Sequence, residues 1–283
     1  MSGTYVLRAV LSQPSGAIGV TLVVGHVMLA VLSQLVLPHD PIAQSAELIL
    51  QAPSLSHPFG TDRLGRDILS RAMLGGREAM MIATLATLVA MIWGTAVGLF
   101  LALIGGRTDT YGMRIVDALS SIPGILIVMI FVAALGVGAT ALIPILGCSY
   151  GLSVVYIARA AALDFVARDF VLAAQARGEA RATILIREIL PNVRDTLAVQ
   201  GAMQVSWLLL GIASLSFLGL GVAPPTPDWG LMIADGRGVM PTAPWVVLWP
   251  MAMLSSLIVG VNLAADAFAK ALGVDRQMGV RAA

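Results

Sequence analysis

The sequence predicts an all-α membrane protein with six transmembrane helices, on three observations. Of its 283 residues, 58% are hydrophobic and only 12% are charged, about half the charged share of an ordinary soluble domain. Its charges lie outside five long charge-free runs. One of those runs, Ala118 to Ala158, is 41 residues long, twice the roughly 20 residues that a helix needs to cross the hydrocarbon core. Disorder is excluded, because it requires low hydrophobicity and high net charge. A formal net charge of +1 provides no field to draw in nucleic acid. The single cysteine, Cys148, can form neither an internal disulfide nor a cysteine metal site by itself.

The elements follow in order. Residues 1–15 carry Arg8 as their one charge and read as an inner-side N-terminus. The first span covers 16–37; its apolar stretch is too long for a secretory signal, and no A-x-A site follows before Pro38. Residues 38–78 form the first outer loop. The second span, 79–106, contains Gly94-x-x-x-Gly98 on one face, a pattern that lets helices approach closely in lipid. The 41-residue run divides at Gly136, Val137 and Gly138, with Pro144 soon after, giving a third span at 118–137 and a fourth at 140–162. An inner connection covers 163–195. The fifth span is 196–220, the second outer loop 221–244, the sixth span 245–267, and the C-terminal tail 268–283. The transmembrane domain proper covers about 79–270.

Six spans put both termini on one side. That side then holds twelve of the 17 basic residues, including Arg276 and Arg281, and the other holds five. The excess places both termini in the cytoplasm.

The chemistry of an enzyme is missing. There is no G-x-x-x-x-G-K-[ST] phosphate loop, and Lys270 is the only lysine, so no nucleotide or other cofactor site is expected in this chain. The histidines His26, His39 and His57 lack H-E-x-x-H or paired spacing, so no metal site and no catalytic residue is expected. His26 lies within the first span, where it reads as a hydrogen-bonded packing residue or a proton relay. Asp117 and Asp266 stand at span edges and read as anchors at the water interface. A secondary transporter would show internal repeats, broken helices or intramembrane charges, none of which is clear here.

The inner connection is the informative segment. It reads Asp169-Phe170-Val171-Leu172-Ala173-Ala174-Gln175-Ala176-Arg177-Gly178-Glu179 and continues to Leu190-Pro191. Alanine and other helix formers up to Gly178 predict a two-turn helix, with Asp169 capping its start and Gly178 at the position that needs positive φ. A second helical stretch, Ala180 to Leu190, leads to Pro191. The small alanine face can sit flush in a groove of a soluble partner and pass that partner's motion to the bundle; composition alone favours a connector resting on the lipid surface.

Two outer stretches have physical readings too. In His57-Pro58-Phe59-Gly60-Thr61-Asp62-Arg63-Leu64-Gly65-Arg66-Asp67-Ile68-Leu69-Ser70-Arg71, a turn opens into a helix. There Asp67 and Arg71 are spaced to pair, and bracing of an outer lid is favoured over substrate contact. In Ser216-Phe217-Leu218-Gly219-Leu220-Gly221-Val222-Ala223-Pro224-Pro225-Thr226-Pro227-Asp228-Trp229-Gly230, the prolines stiffen the chain and Trp229 reads as an interface anchor with a wet indole N–H.

The inner segment resembles the EAA loop of binding-protein-dependent ABC importer permeases. Ala173, Ala174, Gly178, Leu190 and Pro191 match its pattern, and Leu172 stands where that pattern has glutamate. The two outer stretches are similar to signatures of the DppC/OppC branch, which includes dipeptide, oligopeptide and nickel permeases. The resemblance covers nearly the whole chain. It implies a type I ABC importer permease (MetI-like) fold in a cytoplasmic membrane, without a nucleotide site of its own. It further implies a homologous second permease, two ATP-binding-cassette ATPases that bind ATP and Mg, an extracytoplasmic substrate-binding protein, and surrounding membrane lipid. The coupling residues it implies are Ala173, Ala174, Gln175, Ala176, Arg177, Gly178, Glu179 and Pro191. Gly60, Thr61, Asp62, Gly65, Arg66, Asp67, Phe217, Leu218, Gly219, Gly221, Trp229 and Gly230 are structural motif positions. The substrate stays open: di- or oligopeptides, a nickel or other metal chelate, an opine or a glutathione-like solute.

Overall fold

The computed structural model describes residues 3–274; Arg276 and Arg281, counted above toward the inner side, lie outside the described residues. Among those described, all regular structure is helical apart from one antiparallel bridge between Thr61 and Asp67. The helices are α1 (Gly3–Leu11), α2 (Pro14–Val36), α3 (Ile68–Leu74), α4 (Arg77–Ile104), α5 (Gly106–Ser120) and α6 (Gly124–Leu135). They continue with α7 (Ala139–Val166), α8 (Asp169–Ala176), α9 (Arg181–Ile184), α10 (Leu190–Phe217), α11 (Trp229–Gly236) and α12 (Trp245–Leu272). Five helical segments are long and apolar enough to cross a membrane, and α5 with α6 make a sixth if taken as one bent span.

Several boundaries differ from the sequence reading. The N-terminal tail is not irregular: α1 seats Val10 in the protein, and α2 begins at Pro14, where the missing N–H costs nothing. The third span is not one helix from 118 to 137. Helices α5 and α6 meet at 74°, because Pro123 lacks an N–H and disfavours helix in the residue before it. Only the latter twelve residues, Gly124–Leu135, are continuously apolar helix. The division at Gly136–Gly138 lies between α6 and α7. Helices α7, α10 and α12 each have 28 residues, about 42 Å, so all three outrun the ~30 Å hydrocarbon core.

Close approach of small residues holds the bundle. Helix α4 lies along α7: a Cβ added at Gly94 would stand 2.6 Å from the Gly151 carbonyl oxygen, and one at Gly98 2.6 Å from that of Val155. The Trp93 indole N–H donates to the Gly147 carbonyl at 3.0 Å across the same seam. Helix α2 lies along α12, with Gly19 against Gly260 and Ala264. In lipid no hydrophobic force drives helices together, so such contacts and interhelical hydrogen bonds carry the association. Helix α10 touches α4, α7, α11 and α12 and sits centrally. His26 is a packing residue here. Its Nδ1 is 2.8 Å from the Leu22 carbonyl, its Nε2 3.1 Å from that of Met253 and 3.2 Å from Ser256 Oγ, and its ring meets Trp229 edge-on.

Candidate functional site

At one end of the bundle, α8 packs on α7, α9 and the turn that leads into α10, in an apolar cluster that α4 and α10 also enter. Val171 and Ala174, three apart on one face, are fully buried in an apolar cluster with Leu99, Ala158, Ile184 and Ile189. The opposite face is open: Phe170, Leu172, Ala173, Gln175, Ala176, Arg177 and Gly178 are exposed. Ala174 therefore belongs to the seat of the helix and not to its open face, which corrects the reading of both alanines as one outward surface. Asp169 is likewise not the cap. Arg168 holds that position without a side-chain bond, and Asp169 follows in the first turn, where its charge favours the helix dipole.

The end of α8 is a two-bond cap. Gly178 N–H donates to the Gln175 carbonyl at 2.9 Å, and Glu179 N–H to that of Ala174 at 3.2 Å. This geometry requires a left-handed residue between them, and Gly178 has φ +74°. Arg177 and Glu179 pair at 2.6–2.9 Å in the open, a contact worth little in water. Beyond α9, residues Leu185–Ile189 form one wide π turn before α10. Pro191, exposed in the first turn of α10, cannot donate to the Arg187 carbonyl, and a wide turn accommodates that gap.

At the opposite end of the bundle the structure brings the two motif stretches together. Gly60, Thr61, Asp62, Gly65, Arg66 and Asp67 are all buried. The Asp62 carboxylate accepts from Leu64 N–H at 2.8 Å, Arg66 N–H at 3.0 Å and Arg66 Nε at 2.7 Å. Gly65 has φ +73°, and a Cβ there would collide with the Ser45 carbonyl. Asp67 caps α3. It bonds His57 and Ser70, not Arg71 as the spacing suggested; Arg71 turns to the Pro41 carbonyl at 2.8 Å. Trp229 is not a wet anchor: it is 2% exposed, packs over Gly75 and Gly76, and donates to the Ala72 carbonyl at 2.8 Å. Trp245 donates to the Thr61 carbonyl at 3.3 Å, and Arg63 to that of Asp235 at 3.1 Å. Gly221 and Gly230 pack on Ser216, while Phe217, Leu218 and Gly219 remain exposed. The arrangement is a hydrogen-bonded, braced loop, with a cavity of about 200 Å³ between Asp62, Arg66, Met232 and Asp235.

Two features escaped the sequence reading. An open groove of about 480 Å³ lies between α4 and α10, lined by Thr84, Thr87, Met91, Arg194 and Gly201 among others; among the described residues the buried Thr87 hydroxyl has no hydrogen-bond partner. The braced loop also brings His39 beside His57 and Asp67, a proximity that chain spacing does not announce.

Asp228, the cap of α11, accepts from Leu231 N–H at 3.0 Å. Burial pushes its carboxyl above the ordinary range, and its hydrogen bonds offset only part of that. A raised folded pKa means that the folded state holds the proton longer, so stability falls as pH rises between the unfolded and the folded value. Asp228→Asn keeps an equally good cap and removes the charge. It is expected to flatten the dependence of the thermal midpoint on pH from about 4 upward and to leave the midpoint at neutral pH no lower than the parent's. A steeper dependence, or a clear loss at neutral pH, would show that the ionised form is needed.

Comparison with known proteins places this architecture. The family model described as "Binding-protein-dependent transport system inner membrane component" matches residues 94–275. The dipeptide transport system permease protein DppC of Haemophilus influenzae is 33% identical over 270 residues, covering 92% of this chain and 90% of the relative. The nickel transport system permease protein NikC of Escherichia coli K12 is 33% identical over 240 residues, 85% of this chain and 87% of the relative. A solved inward-facing MetNI methionine ABC transporter contains a chain that shares the fold, with a TM-score of 0.59 at 18% identity, over 71% of this chain and 96% of that one. The helical bundle and these matches have one conclusion: the chain belongs to the family of binding-protein-dependent transport system inner membrane components, the multi-pass, non-enzymatic permease subunits of ABC importers.

Proposed function

We propose that the chain forms, with a homologous second permease, the path by which di- or oligopeptides or similar small solutes cross the cytoplasmic membrane. Two partner ATPases, which bind ATP and Mg, drive the cycle, and an extracytoplasmic binding protein delivers the solute to the outer lid. Both termini face the cytoplasm, so α8 meets the ATPases. The observation that carries this reading is the two-faced character of α8. One face is buried in an apolar cluster that α4, α7 and α10 enter. The other presents Phe170 and Leu172, 38% and 49% exposed, around the small Ala173 and Ala176. Apolar side chains open to solvent in this way mark a contact surface, and Leu172, where the family pattern has glutamate, makes that contact apolar instead of charged. Closure of the ATPases on ATP would move α8 and its seat as one body, shifting the bundle between inward and outward states. The groove between α4 and α10, with the unpaired Thr87 hydroxyl, is the proposed stretch of the path.

The peptide reading follows the dipeptide relatives. The nickel permease at the same identity supports a metal chelate as the second reading. Reconstitution with the partner subunits tests the first: ATP-dependent dipeptide uptake is expected from the full complex and none from the chain alone. Accumulation by the chain alone would overturn the proposal. Ala173→Trp, on the open face, is expected to cut recovery of the ATPases with the purified permease about tenfold; unchanged recovery would remove α8 as the docking element.

A further inference from the structure

We propose that His39, His57 and Asp67 form a binding site for a divalent transition-metal ion of the zinc class on the outer lid. The three residues come from different parts of the loop. His39 follows the exit of α2, His57 lies in the middle of the lid, and Asp67 stands at the start of α3. Their ligand atoms all lie within 4.8 Å of one another. His57 Nδ1 is 2.9 Å from Asp67 Oδ1, and His39 Nδ1 is 3.8 Å from Asp67 Oδ2. Metal–ligand bonds of 2.0–2.1 Å in a tetrahedral site place neighbouring ligand atoms about 3.4 Å apart, between these two distances. The two imidazole rings lie 4.5 Å apart, tilted by 31°, so modest ring rotations suffice to aim both at one point.

The surroundings suit an ion. Two neutral imidazoles and one carboxylate carry a single negative charge and offer two nitrogens and one oxygen, the donor set of zinc, nickel and copper rather than of magnesium or calcium. His57 and Asp67 are buried, whereas the His39 side chain is 41% exposed, so a fourth position remains open to water. Ser70 holds the set in place. Its N–H and hydroxyl donate to Asp67 Oδ2 at 2.8 and 2.7 Å, and its Oγ accepts the His39 backbone N–H at 3.1 Å. Outer partners of this kind orient ligands before an ion arrives. Asp67 Oδ1 has only His57 as its hydrogen-bond partner among the described residues. A bound ion would add one shared tie between the exit of α2, the loop around His57 and the start of α3, beside the hydrogen bonds that Ser70, Arg71 and His57 already make there.

The test uses the complete importer complex, purified without a histidine tag, stripped with chelator and dialysed against zinc chloride alone. The parent complex is expected to retain one more zinc ion per permease chain than the His39→Ala complex, whose affinity at this site falls at least tenfold. Asp40→Asn, at the neighbouring exposed carboxylate, should bind like the parent. Zinc should also raise the thermal midpoint of the parent and not that of His39→Ala. X-ray absorption of the loaded parent should report two imidazole nitrogens, and the chain's only other histidine, His26, is buried between α2 and α12. Equal zinc retention by the parent and His39→Ala would overturn the proposal, as would a zinc environment without an imidazole pair that vanishes in the variant.

Discussion

Gly178→Val is expected to lower ATP-driven uptake by the reconstituted importer at least tenfold, while the chain still inserts and purifies in normal amounts. The residue sits at φ +74° between the two bonds that close α8. A left-handed conformation costs an L-residue roughly 1–2 kcal/mol, and a β-branched residue more, so the capped end would be populated about tenfold less or worse. Among the described residues, no neighbouring atom lies within 4 Å of the position that a Cβ would take. The damage is therefore confined to the backbone of the cap. Val171 and Ala174 stay buried in their seat, which is why the fold should survive the loss of coupling. Gly178→Asn is the matched control, because asparagine tolerates this conformation; it should keep most of the uptake. Uptake by the valine variant equal to that of the asparagine variant would refute the role of the cap. Loss of purified valine variant, in contrast, would place Gly178 in the stability of the chain and not in the transfer of motion.

How much of this was legible beforehand depends on what each residue announces. Gly178 and the Gly136–Gly138 pair could be read as ends of helices because glycine is the residue that such turns require. The long charge-free runs gave the bundle, since lipid forbids unsatisfied backbone. Pro123 is silent in the sequence because it stands inside an apolar run and hydropathy does not register a missing N–H. Alanine hid the orientation of α8: Ala173 and Ala174 are the same side chain, and only Val171 at the i+3 spacing from Ala174 marks the inward face. Trp229 was misplaced because an indole suits a membrane interface and a buried pocket equally, and its partner, the Ala72 carbonyl, lies far away in the chain. The lid was opaque for the same reason. Its bonds from Asp62, Asp67 and Trp245 are set by a folded loop without periodicity, so the approach of His39 to His57 could not be read from spacing.

The seam between α4 and α7 carries the second large expectation: Gly94→Leu should remove most of the folded protein from the membrane fraction. A glycine pair four apart is common in membrane helices, and in the sequence it shows a preference for close packing and nothing more specific. In the structure the contact is with backbone. A Cβ at Gly94 would stand 2.6 Å from the Gly151 carbonyl oxygen and 2.7 Å from Val154 Cβ, and neither atom can swing aside as the end of a flexible side chain could. The helices must separate, which also disturbs the Gly98 contact one turn away and the Trp93–Gly147 hydrogen bond. Overpacking typically costs about 1–3 kcal/mol, and here the upper end or beyond is expected, because in lipid no hydrophobic force would restore the seam. The separation also reaches α8, whose seat includes Leu99 from α4 and Ala158 from α7. The monodisperse fraction after detergent extraction should fall at least fivefold for Gly94→Leu and less for Gly94→Ala. Gly25→Leu is the matched control on α2, where a Cβ meets nothing within 4 Å, and its yield should equal the parent's. If Gly94→Leu and Gly25→Leu give the same yield, the α4–α7 contact does not hold the bundle. The bundle would then be held through α10, which touches α4, α7, α11 and α12.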